Sequence, residues 1–88
     1  MGRGGRMGAY SLNKVLRDIN RNPGIREEFF KSKDSVLDRY DLTDEEKRAI
    51  RELDIGTLYR SGAHGLILRP FTLLHQVPEP DYLKAIRG

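Results

Sequence analysis

From Ser11 onward the chain repeats apolar residues at helical spacing. Leu12, Val15, Leu16 and Ile19 fall at i, i+3, i+4 and i+7, while Lys14, Arg17, Asp18 and Arg21 take the opposite side. That stripe predicts an amphipathic helix with one face toward a core, opened by Ser11 as its N-cap. Asn20-Arg21-Asn22-Pro23 interrupts the pattern. Asparagine followed by proline reads as a new start, because the amide side chain caps free N–H groups and proline has no N–H to satisfy at the first helical position. A second helix then carries Ile25, Phe29 and Phe30, and a third start at Ser32 to Asp34 turns Val36, Leu37 and Tyr40 inward.

Leu42-Thr43-Asp44-Glu45-Glu46 holds the strongest local signal. Thr43 can accept the N–H of Glu46 while the Glu46 carboxylate reaches back to the N–H of Thr43, and the acidic first turn suits the positive end of the helix dipole. The helix runs to about Leu53 and buries Ala49, Ile50 and Leu53. Asp54 caps the next one, Ile55 to Arg60, with Leu58 and Tyr59 facing the core and Gly62 as a left-handed terminator. His64 to Leu74 is the most apolar stretch, and Pro70 within it predicts a kink or a restart. Pro78-Glu79-Pro80-Asp81 reads as a rigid turn before a last helix from Tyr82 to Arg87. No segment alternates with period two, so the fold class is all-α: one domain of six or seven short helices over residues 9–88, preceded by a flexible Gly/Arg leader over residues 1–8.

Composition narrows the function more than the fold. With 88 residues and no cysteine, the chain has one small core, no disulfide framework and no thiolate metal site, and a reducing, cytoplasmic setting is the expectation. No apolar run approaches the roughly 18 residues that a membrane span requires. The formal charge is +3, yet Arg3 and Arg6 lie in the leader; without them 14 basic residues face 13 acidic ones, interspersed along the chain. That mixture argues against nucleic acid as a partner, because phosphate-binding surfaces concentrate Lys and Arg on one face.

Catalytic motifs are missing: there is no Gly-rich phosphate loop with Lys and Ser/Thr, no H-E-x-x-H, no nucleophile elbow and no EF-hand loop. His64 and His75 are eleven positions apart, about 16 Å along a continuous helix, too far to share one metal. No catalytic residue, metal ligand or cofactor is therefore expected of this chain. His64 is placed to cap the apolar helix or to lie exposed on its leading turn; His75 closes that helix, where a cationic imidazole suits the negative dipole end. Both are candidates for closing over a partner's ligand pocket. The cap already accounts for the acidic cluster Asp44, Glu45 and Glu46. The segment from Leu66 to Leu74 has apolar residues on more than one face, more than a chain of this size readily encloses. Leu66, Ile67, Arg69, Phe71 and Leu74 are thus the candidate partner contacts, with Arg69 either meeting a partner carboxylate or an acidic substrate, or extending its head to water.

In order along the chain stand Tyr10-Ser11-Leu12-Asn13, Phe30-Lys31, Leu37-Asp38-Arg39-Tyr40, Leu42-Thr43 with its acidic turn, Asp54, Ser61-Gly62 and a final Tyr82 helix ending at Gly88. This succession resembles the LigA-type small α subunit of protocatechuate 4,5-dioxygenase and its relatives, the LigAB class of extradiol ring-cleaving dioxygenases, over roughly Ala9 to Gly88. The resemblance implies an all-helical subunit that packs on a large LigB-type subunit and helps to close its pocket in aromatic catabolism. It also implies that Fe(II), with its two His and one Glu, belongs to that large subunit. Two features depart from the family's pattern. Gly62-Ala63-His64 stands where a Gly-Gly pair is common, and only His75-Gln76-Val77-Pro78-Glu79-Pro80 joins the last two helices, where longer members have an extended segment. Protocatechuate, an aminated catechol and a bicyclic catechol all stay open as the ring cleaved. The alternative from another class is a stand-alone helical interaction module, self-associating or recruiting a peptide, without dioxygenase activity.

Overall fold

The periodic stripe of the first helix lands where its spacing points. In the computed structural model, which describes residues 4–87, Leu12, Val15, Leu16 and Ile19 have no exposure at all and form the spine of the core. They belong to α1 (Gly4–Arg21), which is followed by α2 (Pro23–Lys31), α3 (Lys33–Leu37), α4 (Asp44–Glu52), α5 (Ile55–Arg60), α6 (Gly65–Leu74) and α7 (Glu79–Arg87). α1 packs on α2 and, most extensively, on α6, while α5 is the hub on which α4, α6 and α7 meet. Phe29, Val36, Leu37, Ala49, Ile50, Ile55, Leu58, Leu68, Phe71 and Tyr82 fill the space between, so every helix contributes to one hydrophobic cluster. Each fully buried large side chain contributes about 1.5 to 3 kcal/mol, which is what holds helices too short to persist alone.

The helix ends follow side-chain chemistry. Asn22 Oδ1 accepts from the N–H groups of Gly24 and Ile25 at 2.9 and 3.2 Å, with Pro23 opening α2. Arg26 turns back to the other side of that joint and donates to the carbonyls of Ile19 and Asn20, which the end of α1 leaves free. At α4 both halves of the capping box form: Glu46 N–H to Thr43 Oγ1 at 3.0 Å, and Thr43 N–H to Glu46 Oε1 at 2.8 Å. Leu53 closes α4 in the left-handed region, with φ 55°. Asp54 caps α5 through the N–H and hydroxyl of Thr57. Arg48 donates to Glu45, Glu52 and Asp54, clamping the surface of α4 to the start of α5. Gly56 lets α5 approach α7, since a Cβ there would lie 3.0 Å from the Ala85 carbonyl oxygen.

Several local expectations are corrected. Ser11 is not a cap: α1 starts at Gly4 and Ser11 is buried within it. Residues 4–8, grouped by sequence with the leader, are continuous in backbone with that helix, and residues 1–3 lie outside the described residues. Tyr59 and Phe30 are 44% and 48% exposed, because Ile55 with Leu58, and Phe29 alone, occupy the inner faces of their short helices. The restart that Pro70 allowed does not occur: α6 runs unbroken through it, with the proline on its exposed side. The Pro78-to-Asp81 turn is the first turn of α7 itself, whose Tyr82 N–H bonds the Pro78 carbonyl at 3.0 Å. Prolines fit there because the first-turn N–H groups have no intrahelical acceptor to lose.

Candidate partner-binding face

α6 is apolar on both sides, and only one side is covered. Leu68, Phe71 and Thr72 have no exposure, whereas Leu66 is 82% and Leu73 53% exposed. With Pro70 between them they make a stripe at i, i+4 and i+7, flanked by the half-buried Ile67 and Leu74. Contiguous exposed apolar surface of this kind is, in other proteins, a common mark of interaction sites.

Beside the stripe, α6 and α1 enclose an open cleft of about 630 Å³ lined by Arg17, Asn20, Arg21, His64, Leu66, Ile67 and Pro70. Asn20 braces its wall by donating Nδ2–H to the Ile67 carbonyl at 3.0 Å. At its mouth Asn13 holds the loop before α6, donating to the Gly62 carbonyl at 3.0 Å and accepting from the His64 N–H at 2.7 Å. Gly62 turns that loop with φ 108°, as expected of the left-handed terminator. His64 is both N-cap and exposed residue: its Nδ1 accepts from Leu66 N–H at 3.2 Å while the ring faces solvent.

The sequence-identified residues divide. Leu66 and Ile67 lie on the uncovered side, with His64 at the cleft. Phe71 does not: it is fully buried against Phe29 and His75 and is withdrawn from any partner. Leu74 packs on the core by its inner side. Arg69 is engaged within its own chain: its guanidinium donates to Thr72 Oγ1 and the Val77 carbonyl, both at 3.1 Å, and lies 4.9 Å from the centre of the Tyr82 ring. It ties α6 to α7. His75 sits among Phe71, Phe30 and Phe29 at ring separations of 4.7, 5.3 and 6.1 Å, with Nδ1 2.9 Å from the Phe71 carbonyl oxygen. Burial lowers its pKa, the contact with the Phe71 carbonyl opposing the shift and Lys33 adding to it, so the environment works against the cationic imidazole expected at the helix end. Pro70, Leu73, Arg17 and Arg21 belong to the surface and were not among the candidates; the i, i+4 placement of the two arginines on the wet side of α1 was the available signal.

Among the described residues no three His, Cys, Asp or Glu side chains come together as a metal site, and His64 and His75 occupy opposite ends of α6. None of the described helices is long and apolar enough to cross a membrane.

Fold and surface together define an all-helical domain that leaves one helix face uncovered and assembles no metal-ligand cluster among its described residues. The chain belongs to the LigA family: the family model for the LigA subunit of the aromatic-ring-opening dioxygenase LigAB matches residues 12–88. Comparisons with curated proteins and with solved structures give no match.

Proposed function

We propose that this chain is the small, α-like subunit of an extradiol ring-cleaving dioxygenase, docking on a LigB-type large subunit that carries the iron and cleaves a catecholic ring. The observation that carries the reading is the uncovered Leu66–Pro70–Leu73 stripe on a chain matching the LigA family over residues 12–88. In this role the domain contributes apolar surface and excludes water from its partner's pocket, which strengthens the electrostatic interactions inside it. His64 is the better placed of the two histidines to approach such a pocket, being exposed at the head of α6, while His75 faces its own phenylalanines. α6 and α7 are joined by only residues 75–78, so closure of the pocket relies on helix faces more than on a reaching loop.

The test is co-expression with a LigB-type large subunit encoded in the same genome. The two chains should copurify, and oxygen uptake with catechols should rise when the small chain is present. The double substitution Leu66→Ser with Leu73→Ser should abolish both effects while leaving the isolated domain folded. Ring cleavage by the isolated, iron-supplied chain, or no association with the large subunit, would contradict the proposal.

A further inference from the structure

The cleft between α1 and α6 carries an uneven charge. Arg26 is bonded to the carbonyls of Ile19 and Asn20, Arg39 to Glu28, Arg48 to Glu45, Glu52 and Asp54, Arg51 to Asp34, and Arg69 to Thr72 and Val77. Arg17 and Arg21 make no ion pair or side-chain hydrogen bond with any described residue, although both line the cleft, and no carboxylate lines it with them. They stand one helical turn apart on α1, about 6 Å between their Cβ atoms. The facing wall is Leu66, Ile67 and Pro70 from α6. Two unneutralised guanidiniums thus look across at an apolar wall that continues into the exposed stripe.

We infer that this cleft is the receptor for an acidic, apolar-anchored peptide segment of the large subunit: a bulky apolar side chain set against Leu66, Ile67 and Pro70, and two carboxylates meeting Arg17 and Arg21. The inference rests on the proposed pairing and assigns the chemistry of its contact. Carboxylates one turn apart on a helix, or two residues apart on an extended strand at about 6.5 to 7 Å, match the arginine spacing. A guanidinium meets a carboxylate through two parallel hydrogen bonds, so the pair sets register as well as attraction. A peptide suits the shape better than a one-ring acid. The cleft is only partly enclosed and about 630 Å³ in volume, whereas small-molecule sites typically enclose about 70 to 90% of the ligand surface.

The experiment is calorimetric titration of the small chain into the large subunit at two salt concentrations. It compares wild type, the charge-reversed pair Arg17→Glu with Arg21→Glu, the neutral pair Arg17→Gln with Arg21→Gln, and Arg87→Glu as a control on α7. Charge reversal should weaken binding about tenfold or more, with the neutral pair intermediate. The wild type should lose affinity with salt more steeply than either pair. Arg87→Glu should behave as wild type. Circular dichroism of each variant checks that α1 persists, and the neutral pair decides the matter if charge reversal disturbs it. Wild-type binding that both arginine pairs leave intact overturns the cleft assignment and leaves the subunit pairing standing; no wild-type binding overturns both. Two other outcomes also overturn it: saturable binding of 3,4-dihydroxybenzoate to the isolated chain that the neutral pair abolishes, and a dimer of the isolated chain that the same pair dissociates.

Discussion

His75 shows at one residue how burial outweighs a favourable dipole. The C-terminal position on α6 supports a cation by a few tenths to about 1 kcal/mol when exposed. Three phenylalanine rings and the nearby Lys33 push the other way, and the pKa falls below its ordinary 6.5. The folded chain therefore takes up the proton at lower pH than the unfolded chain does. As pH drops below 6.5 the unfolded state binds the proton first, so stability declines until the folded-state pKa is passed and then levels off. Glu28, Glu45 and Asp54 have lowered pKa values, so their contributions are lost as pH falls from the ordinary carboxylate value toward the lower folded-state one, a separate and more acidic window. Urea midpoints at pH 7.5 and 5.5 should differ for the wild type. His75→Gln, whose amide can still donate to the Phe71 carbonyl, should reduce the difference. An equal difference in both proteins would mean that other groups cause it. Tyr40 shows the same logic in an anion: burial and its 2.7 Å hydrogen bond to Asp18 raise its pKa to about 12, so it remains a neutral donor tethering the end of α3 to α1.

At the scale of single elements, the caps were readable in the sequence because they are short-range chemistry. Thr43 and Glu46 were three positions apart with the right donors and acceptors, and the box formed. Thr43→Ala should cost about 1 kcal/mol, within the roughly 0.5 to 2 kcal/mol range of lost N-caps, measured as a lower denaturation midpoint. Gly62→Ala should cost at least as much, because φ 108° excludes a comfortable L side chain and the new Cβ would lie 3.1 Å from Ala9 Cβ. What the sequence could not show depended on which neighbour covers which face. Tyr59 and Phe30 sit at helical positions compatible with the core, yet each short helix had room inward for other side chains first. Ser11 looked like a cap because glycines and arginines carry no apolar stripe, and lack of a stripe is not lack of a helix. The cleft was invisible for a related reason: Arg17 and Arg21 meet Leu66 and Ile67 only through the packing of α1 on α6, between residues more than forty positions apart.

The whole molecule, measuring 37 × 29 × 19 Å, uses α6 twice. Its inner side seats Leu68 and Phe71 in the core, and its outer side leaves Leu66 and Leu73 in water. If the outer side were only a fault of packing in a small chain, shaving it would help the isolated domain and change nothing else. If it is a docking surface, stability and association should separate. Leu68→Ala, with no exposure in the wild type, should lower stability by about 2 to 5 kcal/mol through lost burial and the cavity left behind. Leu66→Ser should leave stability within about 0.5 kcal/mol, because the side chain is 82% exposed and contributes little to folding. Measured against the large subunit, the order should invert. Whatever fraction of Leu68→Ala remains folded should bind with nearly wild-type affinity, whereas fully folded Leu66→Ser should bind several-fold more weakly. Equal binding by Leu66→Ser and wild type would remove the outer side of α6 from the interface and shift attention to the exposed Tyr10 and Tyr59 on α1 and α5.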